Sequence, residues 1–428
     1  MSHIYSDRMF SKAFKPLKKP ICISNLEESI QRKRKALVAI PHSGIRYKIY
    51  TGQLHSYYYH KYRATKEVTD LDGCIEYARA FVQSPLGSSE RTLRYHAVTS
   101  FQQTNHGRAG RLNKLGVCLE ERYTRTRRIE DLQEAIAVIQ EAVQIAQGED
   151  SSLINPNIQV RNLHDLGVLL GRKYWVAGDT ADFNMAKESL EQAVRMEVNP
   201  QRKARCLMSL SHRYAERFFK EGTEEYLRDS IDLLVQVADL VPESNNDAGY
   251  LHCLAMRYAD SALLSGSTLA LDTAILSARR AVDSTPGHSP DTALHLNTFA
   301  RAIGLRSTRS SRVGGDLDTA IRAAREAVDL TPQDHPNRIT YLSGLKMWLG
   351  HRYNAQGSMI DLVDGVNLAR EIVDLTETEG RSAADPTSNR RLADLRILAF
   401  ELIRRSQPSG RGSSIFRQII RKNAGDRP

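Results

Sequence analysis

A chain of 428 residues exceeds what one compact core usually encloses, so an elongated, repetitive or divided molecule is expected. Hydrophobic residues make up 41% and charged residues 26%, ordinary for a soluble protein, and no apolar run approaches the roughly 18–20 residues that span a bilayer. The net charge of +10 is uneven: residues 1–50 hold 11 Lys/Arg against 3 Asp/Glu and residues 388–428 hold 10 against 3, so the body between them is mildly acidic, which argues against a basic nucleic-acid groove along it.

Residues 1–24 have no clear period and read as a basic N-terminal arm. They are acid-poor, as mitochondrial presequences are, but Pro16 and Pro20 break any amphipathic helix there, and no apolar stretch suits a secretory signal. From residue 25 a helix-opening marker recurs, an Asp-Leu-like pair followed four residues later by Ile or Val. It appears as Asn25-Leu26 with Ile30, Asp70-Leu71 with Ile75, Asp131-Leu132 with Ile136 and Asp182-Phe183 with Lys187. It continues as Tyr226-Leu227 with Ile231, Ala270-Leu271 with Ile275, Asp316-Leu317 with Ile321 and Asp361-Leu362 with Val366. The intervals are 45, 61, 51, 44, 44, 46 and 45 residues. Apolar residues at three- and four-residue steps after each marker predict an amphipathic helix. Pro41, Pro85, Pro200, Pro242, Pro286 and Pro332 are expected to end these helices.

A second helix is expected in each copy, with Leu and a small residue at one equivalent position: Leu115-Gly116, Leu166-Gly167, Leu210-Ser211, Leu254-Ala255 and Phe299-Ala300. Leu54-His55 and Leu345-Lys346 are degenerate versions. The cleanest copy runs from Asp316 to Tyr353, with Asp316 as the expected N-cap, a first helix over residues 317–330 and a second opening at His335-Pro336. The long intervals mark insertions at Leu86–Gly107 and Gly148–Gln159. Residues 390–405 read as a closing helix, and 407–428 as a basic flexible tail. Self-similarity at this period predicts an all-α fold, a right-handed superhelical array of antiparallel helix pairs over residues 25–406, each pair burying its face against its neighbours.

The unit resembles the tetratricopeptide repeat (TPR) in a longer version. The residues that carry the likeness are Ala327-Val328-Asp329-Leu330-Thr331-Pro332, His335-Pro336-Asn337-Arg338, Leu166-Gly167, Arg352-Tyr353 and Asp316-Leu317 with Ile321. The pattern looks like the repeat arrays of fungal TPR proteins, which commonly precede a caspase-like CHAT domain. This sequence departs from them in having only the tail after the array, so the peptidase chemistry of such domains has no residues here. The resemblance implies a non-catalytic scaffold or adaptor. Alternatives are an accessory protein of a fungal gene cluster or incompatibility locus, and a nucleic-acid-associated protein that uses its basic ends. A cytoplasmic location is expected. The run Gln31-Arg32-Lys33-Arg34-Lys35 makes the nucleus the alternative.

The sequence contains no dinucleotide fingerprint, phosphate-binding loop, paired-histidine zinc motif or nucleophile elbow. No catalytic residue, cofactor or small-molecule substrate is therefore expected. Cys22, Cys74, Cys118, Cys206 and Cys253 form no C-x-x-C pair and read as reduced core residues, and His55 and His60 lack helical ligand spacing, so no metal is expected either. One feature invites a functional reading. Six residues beyond the small position stands a cation in six of seven copies, Lys61, Arg122, Lys173, Arg217, Arg306 and Arg352, usually followed by an aromatic ring, with Ser261 the exception. As a row, these cations would hold an acidic protein or peptide segment. As residues of a last helical turn, they would simply complement the helix dipole.

Overall fold

The computed structural model describes residues 23–42, 45–83, 107–147, 156–240, 247–286, 289, 291–309, 313–333 and 335–378. The basic arm to residue 22, most of both insertions, the closing helix at 390–405 and the tail lie outside the described residues. The described residues form fifteen helices and no strand: α1 (Ile23–Val38), α2 (Ile45–Thr65), α3 (Val68–Gln83), α4 (Gly107–Thr126), α5 (Ile129–Gln147), α6 (Pro156–Ala177), α7 (Thr180–Met196), α8 (Pro200–Glu221), α9 (Glu224–Leu240), α10 (Ala248–Ser265), α11 (Thr268–Asp283), α12 (Thr292–Ser307), α13 (Val313–Asp329), α14 (Arg338–Gln356) and α15 (Met359–Thr378). They divide into two compact units, one up to Asn245 with α1–α9 and one from Asn246 with α10–α15.

The sequence period is right, but its phase differs by one helix from the expected unit. The tightest pairs are α2 with α3, α4 with α5, α6 with α7 and α8 with α9 in the first unit, and α10 with α11, α12 with α13 and α14 with α15 in the second. The helix bearing the Leu-small pair therefore leads each hairpin, and the Asp-Leu marker opens the trailing helix. The reason lies in the turn. Six of these seven pairs are joined by two residues, the first in the left-handed region: Lys66, Arg127, Gly178, Gly222, Gly266 and Gly357, with φ between 59° and 80°. The N–H of each bonds a carbonyl four residues back, such as Gly222 to Phe218 and Gly357 to Tyr353, which ends the leading helix and reverses the chain. Glycine adopts this φ freely. Lys66 and Arg127 do so at a steric cost and lay their charges over the rings of Tyr62 and Tyr123.

Prolines mark the longer gaps between hairpins. Pro286 and Pro332 follow trailing helices as expected, and Pro41 follows α1. Pro200 does the opposite, starting α8 at its first turn, with Asn199 as the N-cap accepting from Arg202 N. Pro85 and Pro242 lie outside the described residues. Asp316 also shifts role: α13 begins at Val313, so Asp316 stands inside the first turn instead of capping it, as Asp70, Asp131, Asp182 and Asp361 do in their helices.

The core repeats with the sequence. The marker Leu or Phe is buried in all eight copies, at Leu26, Leu71, Leu132, Phe183, Leu227, Leu271, Leu317 and Leu362. Three residues further on, the trailing helix meets the small position of its leading helix. Ala135, Ala186, Ala274 and Ala320 there are completely buried. A Cβ on Gly167 would come within 2.9 Å of the Ala186 carbonyl oxygen, so the absence of a side chain sets how closely α6 and α7 approach. Within each unit the leading helices also touch one another, α4 with α6, α6 with α8, α10 with α12 and α12 with α14.

Candidate functional site

The six cations of the sequence pattern all meet a carboxylate of this chain. Four sit at the leading-helix C-terminus and reach nine residues ahead, across the two-residue turn, to the marker Asp. Lys61 Nζ lies 3.1 Å from Asp70 Oδ1 and Lys173 Nζ lies 2.8 Å from Asp182 Oδ1. Arg122 grips Asp131 with two bonds of 2.9 and 2.7 Å, and Arg352 grips Asp361 with bonds of 2.8 and 2.7 Å. Arg306 does the same to Asp316, one residue further along, at 2.7 and 2.9 Å. These carboxylates raise the guanidinium pKa of Arg122, Arg306 and Arg352, and Arg352 in return lowers that of Asp361.

A second carboxylate comes from the preceding trailing helix. Arg122 Nη1 bonds Asp72 at 2.7 Å, Arg352 Nη1 bonds Asp318 at 2.7 Å, and Lys61 lies 3.1 Å from Glu27. One cation thus ties its own hairpin to the one before. Arg217 is the exception that follows the same logic. Its hairpin has Tyr226 where the other hairpins with a cation have Asp, and the guanidinium lies 4.6 Å from that ring and 4.5 Å from Phe183, with Glu221 bonded at 2.9 Å. Of the aromatic residues beside the cations, Tyr62, Tyr123, Tyr174 and Phe218 are buried and Tyr353 is half-buried.

The TPR-like motif residues have structural tasks as well. Arg338 bonds the Thr331 carbonyl at 2.5 Å and the Val328 carbonyl at 3.3 Å, closing the end of α13, and reaches Glu371 of α15 at 2.9 Å. His335 Nδ1 accepts from the Asn337 N–H at the entry of α14.

Buried polar chains run from one leading helix to the next. Asn113 of α4 bonds Asp165 of α6 at 2.8 Å, Asp165 lies 3.1 Å from His164 Nδ1, and His164 Nε2 lies 2.8 Å from Ser209 Oγ of α8. The order Ser209, His164, Asp165 repeats the contacts of a nucleophile, base and acid. Ser209 nevertheless sits buried in mid-helix, where the surrounding N–H groups are committed to the helix and supply no oxyanion donors, so the chain acts as a tie between three helices. Deeper in the same unit, Glu120 meets Arg172 at 3.3 Å and Arg213 meets Glu216 at 3.0 Å. Burial pushes the Glu120 carboxyl up and the Arg172 guanidinium down to about 9. In the second unit, His252 lies 2.8 Å from Thr298 and His295 lies 2.6 Å from Thr285.

One constellation was not foreseen from the sequence. His55 of α2, Cys74 of α3 and Cys118 of α4 converge with all their donor atoms within 4.8 Å of one another, and all three are buried. Cys74 Sγ lies 3.2 Å from His55 Nδ1 and 2.8 Å from Cys118 Sγ. Burial holds His55 neutral, with its pKa pushed down to about 3, and raises the Cys74 thiol. His55 occupies the small position of its leading helix and Cys74 the Ala position of its trailing helix. Ser211 and Ser230 fill the same two slots in α8 and α9 and share a 2.8 Å hydrogen bond. The signal was therefore present once the helices are aligned, but the residues are 19 and 44 positions apart and form no local motif. Cys206 is buried and Cys253 is only half-buried, and neither is in a disulfide.

No helix among the described residues is long and apolar enough to cross a membrane. No family model matches the sequence, and no curated protein does either. Solved structures do match. A Podosopora anserina protein with nearly identical TPR-like repeats is 17% identical, over 53% of this chain and 99% of its own, with a TM-score of 0.36. The apo form of the quorum sensor NprR from B. thuringiensis is 11% identical over 87% of this chain and 99% of its own, with a TM-score of 0.40. A Rap protein complexed with Competence and Sporulation Factor is 12% identical over 89% of this chain and 100% of its own, with a TM-score of 0.33. The all-α reading rests on the helices and pair contacts of the chain itself.

Proposed function

We propose that this chain is a non-catalytic scaffold that presents its leading-helix faces to a segment of another protein. The observation that carries the reading is the side-by-side packing of successive leading helices within each unit, which offers the same residue positions again and again along one surface. The cation row enters this reading first as the staple of the array. An acidic partner would be met at the more open rungs, Lys173 and Arg306, whose side chains remain 40% and 39% exposed. The test is affinity capture with the intact chain from its native cell, repeated with Lys173→Met and Arg306→Met. The scaffold reading expects a stoichiometric protein partner whose recovery falls in the double variant while the helical content is kept. Failure to capture any partner across several conditions refutes it.

The likeness of the repeat to fungal TPR arrays that precede CHAT domains favours, within this reading, an accessory or regulatory protein of the cytoplasm. The basic ends favour a second reading, nucleic-acid association. It predicts binding that weakens steeply with salt and disappears when residues 1–35 and 407–428 are deleted.

A further inference from the structure

We propose that His55, Cys74 and Cys118 form a binding site for a single soft d¹⁰ metal cation, with Cu⁺ fitting the donor set better than Zn²⁺. Two observations point there together. The three donors converge from three successive helices into one buried cluster, and two of them occupy slots that most other copies of the repeat fill with small, inert side chains. Elsewhere the slot of His55 holds Gly116, Gly167, Ser211, Ala255 and Ala300, with Lys346 as its other large occupant, and the slot of Cys74 holds only Ala, Ser or Gly. Packing asks for nothing larger than Ser at the slot of Cys74, and in five of the other six copies for nothing larger than Ser at the slot of His55.

The chemistry selects the cation. Two thiolates and an imidazole suit a soft or borderline metal and not a hard one. Around one such ion, with bonds of about 2.0–2.3 Å, donor atoms stand roughly 3.5–4 Å apart. The Cys74–His55 contact of 3.2 Å is close to that, and the sulfurs, at 2.8 Å, must turn apart by about 1 Å. Among the described residues the cluster offers three His, Cys or carboxylate donors and not a fourth. Zn²⁺ prefers four ligands, whereas Cu⁺ accepts three. Charge agrees. Binding converts two thiols to thiolates and releases two protons, so a Cu⁺ complex carries one negative charge. Lys114, one helical turn before Cys118, supplies a nearby countercharge, although burial lowers its own pKa to about 8. The ion would clamp α2, α3 and α4, the first hairpin and the start of the next.

The experiment is an anaerobic titration of the reduced full-length chain with Cu⁺, supplied as its acetonitrile complex, against a chromophoric Cu⁺ chelator, with X-ray absorption on the loaded protein. Expected are one equivalent bound through two sulfurs and one nitrogen, and a melting temperature raised by loading. Cys74→Ala restores the residue of the neighbouring repeats and so keeps the packing. It should weaken binding at least 100-fold, as should Cys118→Ala, while His55→Ser weakens it about tenfold and Cys206→Ala leaves it unchanged. Circular dichroism of each variant confirms that it is folded. Binding that survives Cys74→Ala, or the absence of stoichiometric binding, overturns the site. So does a Cys74–Cys118 disulfide in the freshly purified protein, read as a 2 Da mass loss, that persists when Cu⁺ is added under reducing conditions. Tighter retention of Zn²⁺ than of Cu⁺ overturns the choice of cation.

Discussion

Replacing Arg122 with Met should destabilise the array far more than a surface ion pair would. Arg122 is mostly enclosed, at 11% side-chain exposure, and Asp131, its bidentate partner, is 3% exposed. The variant keeps the length and much of the packing of the stem but leaves a buried carboxylate without two charge-assisted hydrogen bonds. Such bonds contribute roughly 1.5–3 kcal/mol, and fully buried pairs cost about 3–5 kcal/mol to break from one side. With Arg122 partly open to water, a loss of about 2–4 kcal/mol is expected. The third bond, to Asp72, goes to a side chain 55% exposed and should be worth less than about 1 kcal/mol. A pair of double-mutant cycles separates the two. Arg122→Met is combined with Asp131→Asn in one and with Asp72→Asn in the other, and urea unfolding is followed by circular dichroism. The first coupling should be about 1.5–3 kcal/mol and the second under about 1 kcal/mol. Equal couplings, or an Arg122–Asp131 coupling as weak as that of a surface pair, would refute the staple.

The same geometry sets other outcomes. Gly167→Ala pushes a methyl group into the Ala186 carbonyl and should cost about 2–3 kcal/mol, whereas Gly350→Ala, with nothing within 4 Å of its added Cβ, should gain about 0.5–1 kcal/mol from helix propensity, both read from urea midpoints. Arg127→Gly relieves a left-handed φ of 59° but gives up the charge over Tyr123, so a net gain near 0.5 kcal/mol is expected, while Gly222→Ala at φ 74° should lose about 1 kcal/mol. His252 and His295 are buried, and burial lowers their folded-state pKa values below the ordinary histidine value. The unfolded chain therefore binds more protons below about pH 6.5, and stability should fall as pH drops through that value, by at most about 1.4 kcal/mol per pH unit for each histidine. His252→Gln should flatten that slope in unfolding measured between pH 7 and 5, and an unchanged slope would contradict it.

The repeat was legible because burial recurs with the marker. A Leu or Phe at eight equivalent positions can hardly be anything but core, and each proves buried. The phase was not legible. Proline is the louder punctuation, and it falls between hairpins, while six of the seven hairpin turns are two residues long and rely on a single left-handed residue. Where that residue is Lys66 or Arg127, nothing in its identity announces the turn. The ladder was half legible. Its cations stood out, but their partners are the marker aspartates themselves. A spacing of nine residues between cation and Asp, ten at Arg306, pairs Arg122 with Asp131 and Arg352 with Asp361 in the sequence itself. Arg217 would then have drawn attention by lacking its Asp and having Tyr226 instead.

The crossing between leading and trailing helices is the position from which most of this follows. In an array of identical hairpins the crossing has to be tight, and Gly against Ala satisfies it at the lowest cost. Any larger or more polar pair there must be compensated within the same few ångströms, because the backbone cannot retreat without separating the hairpins on either side. Ser211 and Ser230 are compensated by bonding each other. His55 and Cys74 are joined differently, through each other's side chains and main-chain carbonyls, and a third group, the Cys118 thiol, is drawn in. A slot that tolerates glycine in other copies but holds an imidazole here is a local departure from what the fold requires. Such departures are where function is to be sought in a repeat protein whose remaining positions are explained by packing.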